Sequence, residues 1–174
     1  DDYGLEIAYS RERAPLETGG GIKHARDLLG TGDTILVHNG DIFCDAPLAP
    51  LVATHQRHRA VATVLSCPTD DDKVLCFDER EALVGWTNRR TGERIDAATA
   101  ATPHLRGYGG IQVISAQLFT VMADQPARFS VVQTWLEAVR RGLPVFGHPV
   151  DDCYWMDIGT PEKVAALKAH LINC

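Results

Sequence analysis

Two short stretches set an acidic side chain where an apolar run breaks off. In "ILVHNGDIF" (35–43) Gly40 and Asp41 follow the run, and in "YWMDIGTPEKV" (154–164) Asp157 and Gly159 do. An ionised carboxylate buried without a partner is costly, so Asp41 is expected at a strand end, facing water or a cation. Mg²⁺ suits such a place, because it takes one or two carboxylates and completes its shell with water or substrate phosphates. Two carboxylates from distant parts of the chain, gripping one cation, suit phosphoryl chemistry. Each also has a plain structural reading, as a turn former ahead of a helix. A third stretch, "LETGGGIKHA" (16–25), carries Gly19, Gly20 and Gly21 at the start of a helical pattern. Such a cluster reads either as a phosphate or nucleotide cradle or as a flexible connection. It has neither the GK[ST] ending of a Walker loop nor GxGxxG spacing.

Other groups carry less chemistry. "HQRHR" (55–59) reads as a solvated helix face, "TDDDK" (69–73) as an acidic surface turn and "NRRTGERI" (88–95) as a basic loop. No serine lies in a GxSxG setting, so hydrolase-type nucleophilic catalysis has no support. Trp155 reads as core and Trp86 as core or the floor of a sugar site. The five cysteines are scattered, without CxxC, and read as reduced thiols of a cytoplasmic protein. A formal charge of −6 argues against a nucleic-acid partner. No stretch approaches the ~20 apolar residues of a membrane-crossing helix, so no membrane partner is expected.

The elements that must position these residues follow from hydrophobic patterning. The 174 residues suffice for one domain. Residues 5–10 alternate as a strand would. Residues 16–30 predict a helix of about 8 to 10 residues ending at Gly30, on the usual helix-stop grammar. "DTILVHN" and "AVATVLSC" are continuous apolar runs, expected to be buried on both faces, with the helix "PLAPLVATHQRHR" between them. This order predicts an α/β fold with a mostly parallel sheet between two helix layers. "KVLCFDE", "ALVGWTNRRTGERI" and "GYGGIQVIS" predict a small antiparallel extension. Helices are expected in "AQLFTVMA" and "SVVQTWLEAVRRG". Strands are expected in "PVFGHPV" and "YWMDIG", before a closing helix with Thr160 as N-cap and Pro161 at its first position.

The order "PLETGGGI … LVHNGDI … YGGIQVIS … WMDIGTPEKV" resembles the sugar nucleotidyltransferase family, from Gly4 to about Leu171. It is most similar to short members such as N-acetylmuramate 1-phosphate uridylyltransferase and mannose-1-phosphate guanylyltransferase-like enzymes. The resemblance implies a Rossmann-like nucleotide-diphospho-sugar transferase fold. The implied reaction joins a sugar 1-phosphate to a nucleoside triphosphate and releases pyrophosphate, with Mg²⁺ as cofactor. It implies Asp41 and Asp157 as catalytic metal ligands. Glu17, Thr18, Gly19, Gly20 and Gly40 are implied at the nucleotide, and Gly109 and Gly110 at the sugar. Two family features have no counterpart: the "GxGTRxxPxT" loop with its "PKP" segment, and a Glu-Lys pair where "VGWTNRR" stands. The expectation is therefore that residues 1–174 form the C-terminal part of a larger domain and that this piece alone is inactive. The competing readings are a non-catalytic nucleotide-sugar-binding module and, last, a glycosyltransferase using a D-x-D within Asp70–Asp72.

Overall fold

The computed structural model describes residues 4, 6–30 and 34–172. A long strand organises it. This is β7 (His104–Ile114), and the other strands are β1 (Ile35–His38), β2 (Ile42–Cys44), β3 (Ala62–Cys67), β4 (Lys73–Phe77), β5 (Leu83–Asn88), β6 (Arg94–Asp96), β8 (Val145–Pro149) and β9 (Trp155–Asp157). The main sheet runs β6-β5-β4-β7-β3-β8, with β1 also on β7, and β2 and β9 form a separate two-stranded ribbon. On one edge β7 pairs with β3. On the other it pairs first with β4, at residues 104–106, and then with β1, at residues 111–114. The sheet therefore splits between β4 and β1, beside Gly107–Gly110.

Helices cover both faces: α1 (Glu17–His24), α2 (Arg26–Leu29), α3 (Leu48–His58), α4 (Leu118–Met122), α5 (Val131–Arg140) and α6 (Pro161–Ile172). On one face α5 packs against β5 and β8, with α1 and α4 beside it. Trp135, Leu136, Phe77, Ile114 and Leu118 are buried there. On the other face α3 covers Leu65, Ile111 and Val113. The expected three-layer α/β arrangement and the antiparallel extension β4-β5-β6 are thus present.

The strand directions refine the expectation of a mostly parallel sheet. β1, β3 and β8 point the same way, but the reversed β7 lies between β1 and β3. Among the described strands only β3 and β8 pair in parallel. Insertion of a reversed strand is invisible to hydrophobic pattern, because period and burial do not depend on direction.

Several local expectations are corrected. Of the strand expected at 5–10, Leu5 lies outside the described residues, and 6–10 have no regular structure, with Tyr9 75 % exposed. Among the described residues no strand pairs with that segment, and alternation alone makes no strand. β1 is not buried on both faces: Leu36 is 45 % exposed, because β1 has a neighbour only on its β7 side among the described residues. The helix expected before Gly30 is broken at Ala25 into α1 and α2, and the glycine cluster lies inside α1 rather than ahead of it. In "HQRHR" the solvated reading fails for His55, which is 2 % exposed, its Nδ1 3.1 Å from Thr63 Oγ1. The basic loop and the acidic turn serve each other: Arg90 pairs with Asp72 at 2.8 Å, and Arg89 donates to Thr69 O at 3.2 Å. Cys44, Cys67, Cys76 and Cys153 are free thiols, as expected, while Cys174 lies outside the described residues.

Candidate active site

The β2–β9 ribbon brings the two aspartates together. Its register sets Ile42 opposite Asp157 and Cys44 opposite Trp155. Just beyond the ribbon, Ile158 N–H donates to Asp41 O at 2.7 Å, so the two turns are stitched backbone to backbone. Gly159 lies between the carboxylates. A Cβ there would sit 3.1 Å from Asp157 Oδ1 and 3.7 Å from Asp41 Oδ2. The acids expected to converge therefore do so, around one point.

The ribbon lies on the main sheet through glycine contacts. Gly110 has φ +75°, and a Cβ on it would come within 2.4 Å of Ile42. At Gly109 a Cβ would meet Leu65 Cδ2 at 2.4 Å, and Trp155 Nε1 donates to Gly109 O at 2.8 Å. These two residues let a second layer of backbone settle onto β7 at the split in the sheet. Asn39 N–H closes the corner on Gly110 O at 2.9 Å. Beside Asp41, the Cβ direction of Gly40 is open. Asp45 Oδ1 accepts from Tyr154 N–H at 2.8 Å and pins the segment leading into β9.

Asp157 has two donors. Gly159 N–H reaches Oδ1 at 2.8 Å, the turn that the plain reading foresaw, and Lys163 Nζ reaches Oδ2 at 2.8 Å. Lys163, with Gly159 N–H second, holds the Asp157 carboxyl below the usual carboxylate range. Asp157 is thus ionised at neutral pH. Lys163 sits in the first turn of α6, where Lys163 N–H caps onto Thr160 Oγ1 at 3.4 Å. Sequence reasoning missed Lys163. The signal was a lysine in a helix's first turn, where the dipole disfavours a cation.

The pair suits a divalent hard cation. Both carboxylates are ionisable oxygens on one open surface, and no third His, Cys, Asp or Glu joins them among the described residues. Mg²⁺ with water and phosphate in its remaining positions fits that donor set; a closed structural Zn²⁺ site does not.

The glycine-rich corner is differently built. Gly19 and Gly20 are buried, and both N–H groups donate to Phe129 O, at 3.1 and 3.3 Å. A Cβ on Gly19 would strike the Phe129 ring, and one on Gly20 would strike Ala127 O at 2.3 Å. These glycines let α1 approach the segment before α5, and their N–H groups are already taken. Ahead of them Glu17 has φ +62° and accepts from Arg128 Nε at 3.0 Å. Thr18 is half-buried.

A cavity of about 400 Å³ opens between β4, β5, β7 and α5, lined among others by Lys73, Trp86, Tyr108, Ser130 and Gln133. Tyr108 immediately precedes Gly109, so β7 runs from this cavity to the ribbon. Its hydroxyl accepts from Gln112 Nε2 at 3.1 Å, and Gln112 Oε1 accepts from Trp135 Nε1 at 3.1 Å. Burial pushes the Tyr108 hydroxyl well above its ordinary range. Trp86 is half-buried in this wall, and Tyr108 was not singled out from sequence.

The chain is similar to known proteins in sequence and in fold. Residues 1–77 match the family described as Nucleotidyl transferase. A mannose-1-phosphate guanylyltransferase of Mycobacterium tuberculosis is 30 % identical over 98 % of this chain and 45 % of its own length. The catalytic subunit beta of the Dictyostelium discoideum enzyme is 26 % identical over 91 % of this chain and 42 % of its own. The chain thus spans about half the length of the curated relatives it matches. Among solved structures, a putative glucose-1-phosphate thymidylyltransferase from Bacillus anthracis superposes with TM-score 0.74 at 15 % identity, covering 97 % of this chain and 66 % of that one. A UTP-bound UGPase from Acinetobacter baumannii gives TM-score 0.71 at 14 % identity, over 91 % and 57 %. The chain is thus similar in sequence, over nearly its whole length, to mannose-1-phosphate guanylyltransferases, and in fold to solved nucleotidyltransferases.

Proposed function

We propose that the protein carrying this chain is a cytoplasmic nucleotidyltransferase that forms a nucleoside-diphosphate sugar and pyrophosphate from a nucleoside triphosphate and a sugar 1-phosphate. The observation that carries the reading is the meeting of Asp41 and Asp157 around Gly159. In this reading both carboxylates hold Mg²⁺, which supplies charge neutralisation on the transferred phosphoryl group. Asp41 and Asp157 fix the charge, and the Gly159 N–H fixes the orientation of Asp157. The open side of Gly40 admits phosphate beside Asp41. Gly19 and Gly20 hold the corner against Phe129, so that Glu17 and Thr18 face the nucleotide. Gly109 and Gly110 seat the ribbon, and the cavity walled by Trp86 and Tyr108 receives the sugar, stacking its apolar face on an aromatic surface. Attack on the α-phosphate is in line, and the protein contributes positioning and electrostatics without a covalent intermediate.

The test is Asp41→Asn in the full-length protein. Asp41 is exposed at a turn, so thermal stability should move by no more than ~0.5 kcal/mol. Pyrophosphate release should fall by at least about 100-fold, the scale of losing one transition-state electrostatic contact. Turnover at the wild-type rate sinks the assignment.

A further inference from the structure

We propose that Lys163 is an exchangeable counter-ion: it occupies Asp157 Oδ2 while no cation is bound and, once displaced, turns its ammonium to a substrate phosphate oxygen. The proposal rests on the metal reading above and deepens it. Its starting point is a placement that local energetics do not favour. A lysine in the first turn of α6 faces the positive end of the helix dipole, where a carboxylate would be stabilising. What compensates, among the described residues, is the contact of Nζ with Asp157 Oδ2 at 2.8 Å. Both side chains are about half exposed, 47 % for Lys163 and 44 % for Asp157. An exposed pair of this kind is held weakly and exchanges readily. A weak contact suits a group that must let go.

The geometry gives the exchange a direction. Asp157 Oδ1 is already bound to Gly159 N–H at 2.8 Å and faces the Gly159 side that it shares with Asp41 Oδ2. A divalent ion drawn to both carboxylates meets a net charge of −1 while Lys163 is in place and −2 when it is absent. Lys163 therefore opposes the bare ion. Once a phosphate arrives with the ion, the sign reverses. The long side chain, anchored at a capped helix start beside Thr160, can carry the ammonium from a carboxylate oxygen to a phosphate oxygen without backbone movement. The residue then selects for the phosphate-bound ion over the free one, as a positioning residue. Among the acids and bases around it, Glu162 precedes it on the same turn and Asp157 faces it from β9.

Two affinities with opposite expected shifts make the test. Mn²⁺ binding to the full-length protein is measured by electron paramagnetic resonance, first alone and then with inorganic tripolyphosphate, a probe that needs no base or sugar. For Lys163→Met, free Mn²⁺ should bind about three- to tenfold tighter, the scale of one nearby unit charge near a protein surface. Tripolyphosphate should bind the Mn²⁺-loaded variant about three- to tenfold more weakly. Lys163→Arg should keep both values within about twofold of wild type, since it keeps the cation. A purely structural lysine would shift both affinities the same way or neither, and either result overturns the proposal. Asp41→Asn run alongside separates the two readings. If it binds Mn²⁺ as well as wild type, the metal reading fails; if it loses Mn²⁺ while Lys163→Met changes nothing, only the counter-ion role fails.

Discussion

Replacing Gly20 by alanine distinguishes a packing glycine from a ligand-cradling one. In α1 a Cβ at this position would lie 2.3 Å from the carbonyl oxygen of Ala127 and 2.9 Å from Leu16 Cβ. An ordinary carbon–oxygen approach is roughly 3.3 Å or more, so α1 and the 127–129 segment must separate by about 1 Å. Both sides of the clash include backbone, which has no rotamer to yield. Overpacking of this kind costs ~1–3 kcal/mol. The shift also stretches the Gly20 N–H bond to Phe129 O, now 3.3 Å, which contributes about 1 kcal/mol. Against this, alanine gains about 1 kcal/mol over glycine in a helix interior. The net is about 2 kcal/mol of destabilisation, or a melting temperature lower by ~4–8 °C for a chain of this size. Gly21 is the internal control. Its added Cβ would meet only the Glu12 carboxylate, with Oε1 at 2.9 Å, the far end of a long side chain whose other oxygen accepts from Leu16 N–H at 3.0 Å. Gly21→Ala should therefore melt within about 1 kcal/mol of wild type, or higher. The assay is differential scanning calorimetry without nucleotide. A ligand-cradling glycine would leave the ligand-free melt of Gly20→Ala unchanged and reveal its loss only in nucleotide binding; that outcome refutes the packing account.

Two further perturbations probe the body of the fold. Trp135→Phe removes the donor to Gln112 Oε1 from a fully buried site; it should cost ~2–3 kcal/mol, and a chemical-denaturation midpoint equal to wild type would contradict it. His148, beside Thr54 Oγ1 at 3.0 Å, has its pKa lowered by burial first and by Arg57 second. A lowered folded value means that the unfolded chain protonates first, near its ordinary pKa of about 6.5. The contribution is full above that pH and is lost as pH falls through it toward the folded value. Melts from pH 8 to 5 should fall less steeply in His148→Gln than in wild type, and parallel curves would remove His148 from the account.

Whatever depends on local pattern was legible in the residues themselves. The period of the apolar residues located β3, the hairpins β4-β5-β6, the amphipathic α5 and the capped start of α6 at Thr160, because burial period and capping chemistry act over a few residues. It also marked Asp41 and Asp157 as strand-end acids, since a carboxylate after an apolar run must leave the core. Tertiary structure decided the rest. The reversal of β7 between β1 and β3 leaves no periodic trace. Only the close approach of α1 to residues 127–129 turned the Gly19–Gly20 corner from an apparent cradle into a packing contact. Lys163 acquired its meaning from Asp157 six residues back, across a turn whose geometry no spacing rule supplies. The two acids stand 116 positions apart in the chain, and the register of β2 against β9, seated on Gly109 and Gly110, set them around one point. A side chain's type fixes what it can bind, whereas its neighbours across the fold fix whether it is free to bind it.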